Sequence, residues 1–394
     1  MSTLPLSDVR VIAMGKLLAG PFCAQLLGDS GAEVIKVEAP GEGDARRGWG
    51  RVKPQGLSLH WPIIGRNKKS ITLNLRSAQG QEIVRKLVAQ ADVLVENFRP
   101  GTLERWGLSP EEPWKVHRGL VVTRVPGYGQ TGPYASRAGF GVVGEAMGGF
   151  RYVTGDPATP PARVSVSIGD ELVGTFAALG TLVALHHRQN TGRGQVVDAS
   201  LYESVFAMME TLVPDWEVGG YQHERTGSIL PGVAPSNVYP ALDGSALIAG
   251  NRDTIFQRLT EVMGRPELAA DPRFATHDAR GANSEELDRI VSAWSSPQES
   301  GHLLDALHEA GVPAGLIYRA KDMLEDPHFK ARESIVRLKH EVLGEFPMRP
   351  GPRSGARRTQ HRRLPRPAGP QRRRGRGAAD RRDHLARSRH EQAH

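Results

Sequence analysis

The sequence predicts an α/β protein, a doubly wound parallel-sheet domain joined to a smaller α+β domain. Between residues 9 and 124, short β-branched runs alternate with helical patterns, the pattern of a parallel sheet covered by helices. One of those runs, DVLVEN at residues 92–97, is apolar almost throughout, as in a strand buried on both faces. From about residue 225 the texture changes to a hairpin, three helical patterns and a closing strand.

In chain order, residues 9–14 read as a strand, 20–27 as a helix and 33–38 as a second strand. The Gly- and Arg-rich residues 41–54 read as a loop, 70–75 as a strand, 78–90 as a helix and 92–97 as a strand. Short helices are expected around residues 102–106 and 110–116, before a strand at 120–124. A glycine-rich loop at 126–140 runs into GFGVVG, residues 139–144, which matches G-x-G-x-x-G. That fingerprint should follow a strand directly, yet about 14 residues of loop intervene. The glycines therefore read as close helix packing, not as a dinucleotide site.

Residues 163–188 look like the centre of the chain. Val164, Val166 and Ile168 alternate as in a strand, Gly169 breaks the pattern, and Asp170 opens a helical run carrying Leu172, Val173, Phe176, Leu179, Leu182, Val183 and Leu185. An aspartate at a helix N-cap accepts hydrogen bonds from free N–H groups, and the helix dipole keeps it ionised. An oriented, ionised carboxylate beside a glycine has the chemistry of a nucleophile. Spacing alone describes an ordinary helix cap more readily.

TGRGQ at 191–195 leads into a strand and helix in VVDASLYESVFAMMETL, where Asp198 and Glu203 are placed for capping. Residues 237–249 read as a hairpin around Asp243-Gly244, followed by helical patterns at 253–263, 285–294 and 298–310. Asn283, with Glu286 three residues on, is placed to cap the second of these, and residues 312–318 read as a strand. The expected division is a large domain beginning in 1–222, a small domain at 223–332, a return toward the large one at 333–350, and a tail at 351–394.

Composition narrows the function. The chain has 394 residues, 39% of them hydrophobic, enough for two cores. Without a run of 18 apolar residues no membrane span is expected, and the start MSTLPLSDVR lacks the apolar stretch of a secretory signal. A single cysteine, Cys23, excludes an intramolecular disulfide or a multi-cysteine zinc site, and its place on an apolar helix face reads as a small buried hydrophobe. His186-His187 has no second ligand pair at metal spacing, so no metal is expected. A cytoplasmic protein is the expectation. The net charge of +8 is uneven: residues 351–394 carry +11 and the rest carries −3. The body therefore gives no reason to expect nucleic-acid binding. The tail, with only Leu364 and Leu385 as large apolar residues, reads as a solvated arm, with binding to nucleic acid as its functional alternative.

Several stretches together resemble the class III coenzyme A transferases, the family of formyl-CoA transferase, carnitine CoA-transferase and their succinyl-CoA:dicarboxylate relatives. They include LLAGPFCAQLLGDSGAEVIKVEAP (17–40), NKKSITLNL (67–75), DVLVENFRPGTLERWGL (92–108), GYGQTGP (127–133), SIGDELVGTFAALGTLVAL (167–185) and TGRGQVVDASLYES (191–204). GNRDTIFQRL (250–259), DPRFATH (271–277), GVPAGLIY (311–318) and DPHFKAR (326–332) continue the likeness to about residue 350. The resemblance implies a Rossmann-like large domain, a small domain and two interlocked chains in a homodimer. It also implies CoA transfer between carboxylic acids, with Asp170 as the nucleophile that forms first an anhydride and then a CoA thioester. Coenzyme A would be a substrate, with no tightly bound cofactor, and would lie along Leu18, Ala19, Leu73, Asn74, Leu75, Arg76, Asn97, Phe98, Arg99 and Arg105. Small-domain loops near 226–232 and Gly250-Asn251 would line the acyl pocket.

This chain departs from the family at three places. Gly141 stands where some members carry an acid beside the nucleophile. Phe140 stands where the related racemases carry a histidine, and a racemase needs a base on each face of the carbon. The Arg-rich residues 351–394 replace an expected ordered ending, as translation in a shifted frame would. Acyl-CoA racemisation is the alternative enzyme activity, and nucleic-acid binding through the tail the alternative of another class.

Overall fold

The computed structural model describes residues 4–351. The tail, with its readings as a nucleic-acid arm or a shifted frame, lies outside the described residues. Six parallel strands form the main sheet: β1 (Arg10–Ala13), β2 (Glu33–Glu38), β3 (Lys68–Thr72), β4 (Val93–Glu96), β5 (Val121–Arg124) and β6 (Val196–Asp198). Their order is β3-β2-β1-β4-β5-β6, with Ile12 of β1 paired to Ile35 on one side and Leu94 on the other. Val11 and Ala13 pack with the first helix, Ala19–Asp29, and the central helix, Ile168–Thr191. Ile12 and Met14 face the opposite way, toward Val84 and Val88 of the helix Ala78–Val88. Both faces are thus covered by helices, which is why the strands read as unbroken apolar runs. The strand order reverses between β1 and β4, and a sheet of this kind opens a crevice at the carboxyl ends of those two strands.

The central helix fits against its neighbours through small residues. A side chain at Gly174 would strike the Phe22 ring and the Ala19 carbonyl, and one at Gly180 would strike Val197. Its Thr181 hydroxyl bonds the Thr123 hydroxyl of β5 at 2.7 Å. By length and mean composition this helix could cross a membrane, although it holds no unbroken run of 18 apolar residues, and it packs here as a core helix. Nor is it buried all round. Leu179, Leu182 and Val183 are 56%, 42% and 57% exposed.

A second core gathers around Tyr239, Phe256, Phe274 and Leu287. It is built on an antiparallel sheet of β7 (Ser236–Ala241), β8 (Gly244–Ala249) and β9 (Ala314–Leu316), covered by the helices Asp253–Val262, Ser284–Ser295 and Ser300–Glu309. The hairpin around Asp243-Gly244 forms where expected: Leu242 and Asp243 make the turn, and Gly244, paired with Ala241, opens β8. A hairpin that sequence reading did not anticipate, β10 (Val336–His340) and β11 (Gly344–Met348), brings Arg349 over the Phe22 ring of the first helix at 5.3 Å.

Several local expectations change. The alternating residues before Asp170 form no strand: they find no pairing partner, Val166 is exposed, and the helix already begins at Ile168. Asp170 is therefore the third helical residue and not the cap; Ser167 holds the cap position without a side-chain bond. β3 lies two residues earlier than expected, so Leu73–Arg76 leave the sheet as a turn. Asn283 does not cap through Glu286. It also ends the preceding helix His277–Ala282, and its side-chain amide is spent on the carbonyls of Arg273 and Ala279. Ser200, not Asp198, caps the helix Leu201–Phe206, while Asp198 accepts from the Gln130 N–H at 2.8 Å. Cys23 is fully buried, and desolvation pushes its thiol up to about 12, the state of an inert hydrophobe.

Candidate active site

The crevice at the β1–β4 switch point is built by two turns that hold each other. After β4, the Asn97 side chain accepts from Lys16 N at 2.7 Å and donates to Lys16 O at 2.9 Å. This clamp fixes the turn after β1, where Leu17 is held at φ +63° and its N–H points to Asp44 Oδ1 at 3.3 Å. A cleft of about 380 Å³ opens there, and Lys16, Leu18, Ala19, Asn97, Phe98, Arg99, Phe140 and Asp170 are among its walls. A second cleft, also about 380 Å³, lies over the ends of β2 and β3 and shares Lys16 and Phe98 with the first. It is walled by Leu73, Asn74, Leu75 and Arg76.

Nine of the ten residues expected to meet coenzyme A thus wall these two adjoining clefts, and Asp170 is on the wall of the first. Arg105 does not. It lies outside both clefts, and its guanidinium donates to Thr102 Oγ1 at 3.0 Å. Asn97 lines the groove, but its amide is spent on Lys16, so it positions Leu18 and Ala19 more than it contacts a ligand.

Asp170 sits in the first turn of the central helix, where N–H groups have no partner within the helix and the dipole favours an anion. Burial nevertheless pushes its carboxyl up to about 6; Arg46 opposes the rise, Glu145 and Glu171 add to it, and Arg163 opposes it weakly. Directly against it lies Gly141, at the start of the helix Gly141–Met147: a Cβ there would overlap Asp170 Oδ2 and come within 2.7 Å of Cγ. The glycines of GFGVVG are packing glycines. Gly139 meets the backbone of Gly127, and a Cβ at Gly144 would strike Leu201.

A family model described as CoA-transferase family III matches residues 6–372. The chain belongs to that family. It is a CoA-transferase, and the match reaches beyond residue 350, where the resemblance read from the motifs stopped. The succinyl-CoA–D-citramalate CoA-transferase of Chloroflexus aurantiacus is 57% identical over 345 residues, 87% of this chain and 86% of that protein. The beta subunit of that organism's succinyl-CoA–L-malate CoA-transferase is 41% identical over 347 residues, 87% of this chain and 86% of its own length. A crystal structure of a CaiB/BaiF family protein from Brucella suis superposes with TM-score 0.79 at 34% identity, covering 92% of this chain and 95% of that one.

Motif reading missed a third cleft in this family III chain, about 280 Å³, which shares Leu18 with the first. Arg46, Trp49, His60, Glu171 and Arg349 line it. The one available signal was Asp44, a helix-cap residue type inside the supposed loop. It accepts from Arg46 N at 3.0 Å and starts the helical turn Ala45–Gly48. The loops expected on the acyl pocket, 226–232 and Gly250-Asn251, line none of the three clefts. Asn251 instead gives its carbonyl to Arg280 at 2.7 Å.

Proposed function

We propose that Asp170 is the covalent nucleophile of a CoA transfer between dicarboxylic acids. The observation that carries this reading is the Asp170 carboxylate on the wall of the switch-point cleft, in the first turn of the central helix, with a pKa lifted to about 6. Such a carboxylate is still ionised at neutral pH and more basic than a solvated one. The succinyl donors and hydroxy-dicarboxylate acceptors in the names of the two Chloroflexus relatives support a dicarboxylic pair here.

Asp170 attacks the thioester carbonyl, the C–S bond breaks, and CoA leaves as thiolate from a mixed anhydride. The thiolate attacks the aspartyl carbonyl, releasing the donor acid and leaving an aspartyl-CoA thioester. The acceptor carboxylate attacks that carbonyl and expels the thiolate again. Attack of the thiolate on the new acyl carbonyl frees Asp170. No net proton is consumed. The N–H groups of the first helical turn are the donors at hand for each oxyanion, worth about 3 kcal/mol apiece in such sites.

Coenzyme A lies with its chain along Leu18, Ala19 and Phe98, and with its phosphates toward the exposed guanidiniums of Arg76 and Arg99. The Rossmann-like part, the division at 222 and 332 and a homodimer complete the reading. The exposed apolar residues of the central helix support the dimer, since a patch of this kind calls for a covering partner. Phe140, 63% exposed at the cleft, carries no proton-accepting atom, which disfavours racemisation.

The test is incubation with succinyl-CoA, trapping with hydroxylamine, and mass spectrometry of the peptide that holds Asp170. A hydroxamate on Asp170 is expected. An unmodified Asp170 with the label on another residue overturns the assignment.

A further inference from the structure

Two adjacent arginines after β2 have opposite fates. Arg47 is satisfied: it forks onto Glu38 with two bonds of 2.8 Å and lies over the Trp61 ring at 3.8 Å. Arg46 is 8% exposed, its Nε has no partner, and no carboxylate among the described residues lies within ion-pair distance of it. Its neighbour Asp44 is already committed, through Oδ2 to Lys36 at 3.0 Å and through Oδ1 to the backbone of Arg46 and Leu17. The Trp49 ring, 5.0 Å from the guanidinium carbon, is apolar company that makes no hydrogen bond.

A buried guanidinium with an unmet donor is costly unless something accepts from it. Arg46 lines the third cleft, which opens beside Leu18 next to the Asp170 groove, and its charge is felt at Asp170. The other ionisable residues on the cleft are Arg349, Glu171 and His60. Burial and the nearby Arg46 hold His60 below its ordinary value, so it is neutral at pH 7. The two guanidiniums against one carboxylate leave an excess positive charge and a planar fork suited to a carboxylate.

We propose that this cleft receives the far carboxylate of the acyl group, and that Arg46 is the residue that selects dicarboxylic over monocarboxylic substrates. The inference rests on the reading of Asp170 as the acylated residue: the near carboxyl reacts at Asp170 while the far one pairs with Arg46. The alternative is that Arg46 serves only as a counter-ion to Asp170, which would favour all acyl groups alike.

Single-turnover formation of the CoA-bearing Asp170 peptide separates the two, with succinyl-CoA compared against butyryl-CoA, its monocarboxylic counterpart. The wild-type protein should prefer succinyl-CoA. Arg46→Met should lower the succinyl-to-butyryl ratio of rate over half-saturation about 100-fold, the loss of one desolvated charge-assisted pair. Arg46→Lys, which keeps the charge but not the fork, should retain part of the preference, and it tests the idea should the methionine variant fold poorly. A ratio unchanged in both variants, or a wild type indifferent to the far carboxylate, overturns the inference while leaving the nucleophile in place. A wild type that loads neither substrate onto Asp170 overturns the nucleophile instead.

Discussion

Gly141 lies flush against the carboxylate of Asp170, so close that a single methyl at 141 would overlap Oδ2. The position is helical, where alanine is otherwise favoured. Gly141→Ala should therefore leave the melting temperature within a few degrees of wild type, yet turn Asp170 away from the groove and lower kcat/KM by about 100-fold. Full activity in that variant would mean that Asp170 works from another rotamer.

Asp170→Asn should abolish transfer and stabilise the fold at alkaline pH. In the folded protein burial lifts the carboxyl from its ordinary 3.8 to about 6, so the folded state holds the proton more tightly. Stability is then lost as pH rises through that window, and the full penalty remains above it. Asparagine removes the penalty, about 1–2 kcal/mol after allowance for partial solvent contact. Thermal unfolding at pH 8 and at pH 4 should show a gain for the variant that disappears at the lower pH.

The same titration sets an acid limb. Burial is the main cause of the rise, and Arg46 opposes it. Below about pH 6, kcat/KM should fall tenfold per unit as Asp170 takes up its proton. Removing the Arg46 charge should move that limb to higher pH. A flat profile between pH 4 and 7 would contradict an ionised Asp170 as the attacking group.

The groove makes a distinction among arginines that the motif resemblance did not. Arg76 and Arg99 wall the two clefts, whereas Arg105 turns to Thr102. Arg76→Ala and Arg99→Ala should each raise KM for acyl-CoA about tenfold, with the effect shrinking in high salt. Arg105→Ala should change it less than about threefold. Initial-rate kinetics at two ionic strengths decide the matter.

Leu179, Leu182 and Val183 leave an apolar face on the central helix open to solvent in the single chain. Leu182→Arg should shift the sedimentation of the protein from dimer to monomer. Wild-type protein that sediments as a monomer would remove the proposed partner.

Much of this was legible in residue order alone, because it depends on local rules. Continuous apolar runs such as residues 92–97 announced buried parallel strands, Asp243-Gly244 announced a hairpin, and several stretches from residue 17 to 332, taken together, announced the family. Strand limits were less secure. Val164 and Val166 alternate as a strand would, but alternation describes a half-buried surface and does not supply the pairing partner a strand needs. Likewise the apolar residues of the central helix announced a long helix but gave neither its start at Ile168 nor which of them face a core.

By itself the sequence determined the alternation of strands and helices, the fully buried Cys23, and the candidacy of Asp170. Only the tertiary structure decided that the turns after β1, β3 and β4 wall two adjoining clefts, that Arg105 lies off them, and that Arg46 Nε has no hydrogen-bond partner among the described residues. The reason is physical. Periodicity and capping act over a few residues, whereas burial, desolvation and an unmet hydrogen bond arise between groups far apart in the chain, and these set both the pKa of Asp170 and the choice of what Arg46 will bind.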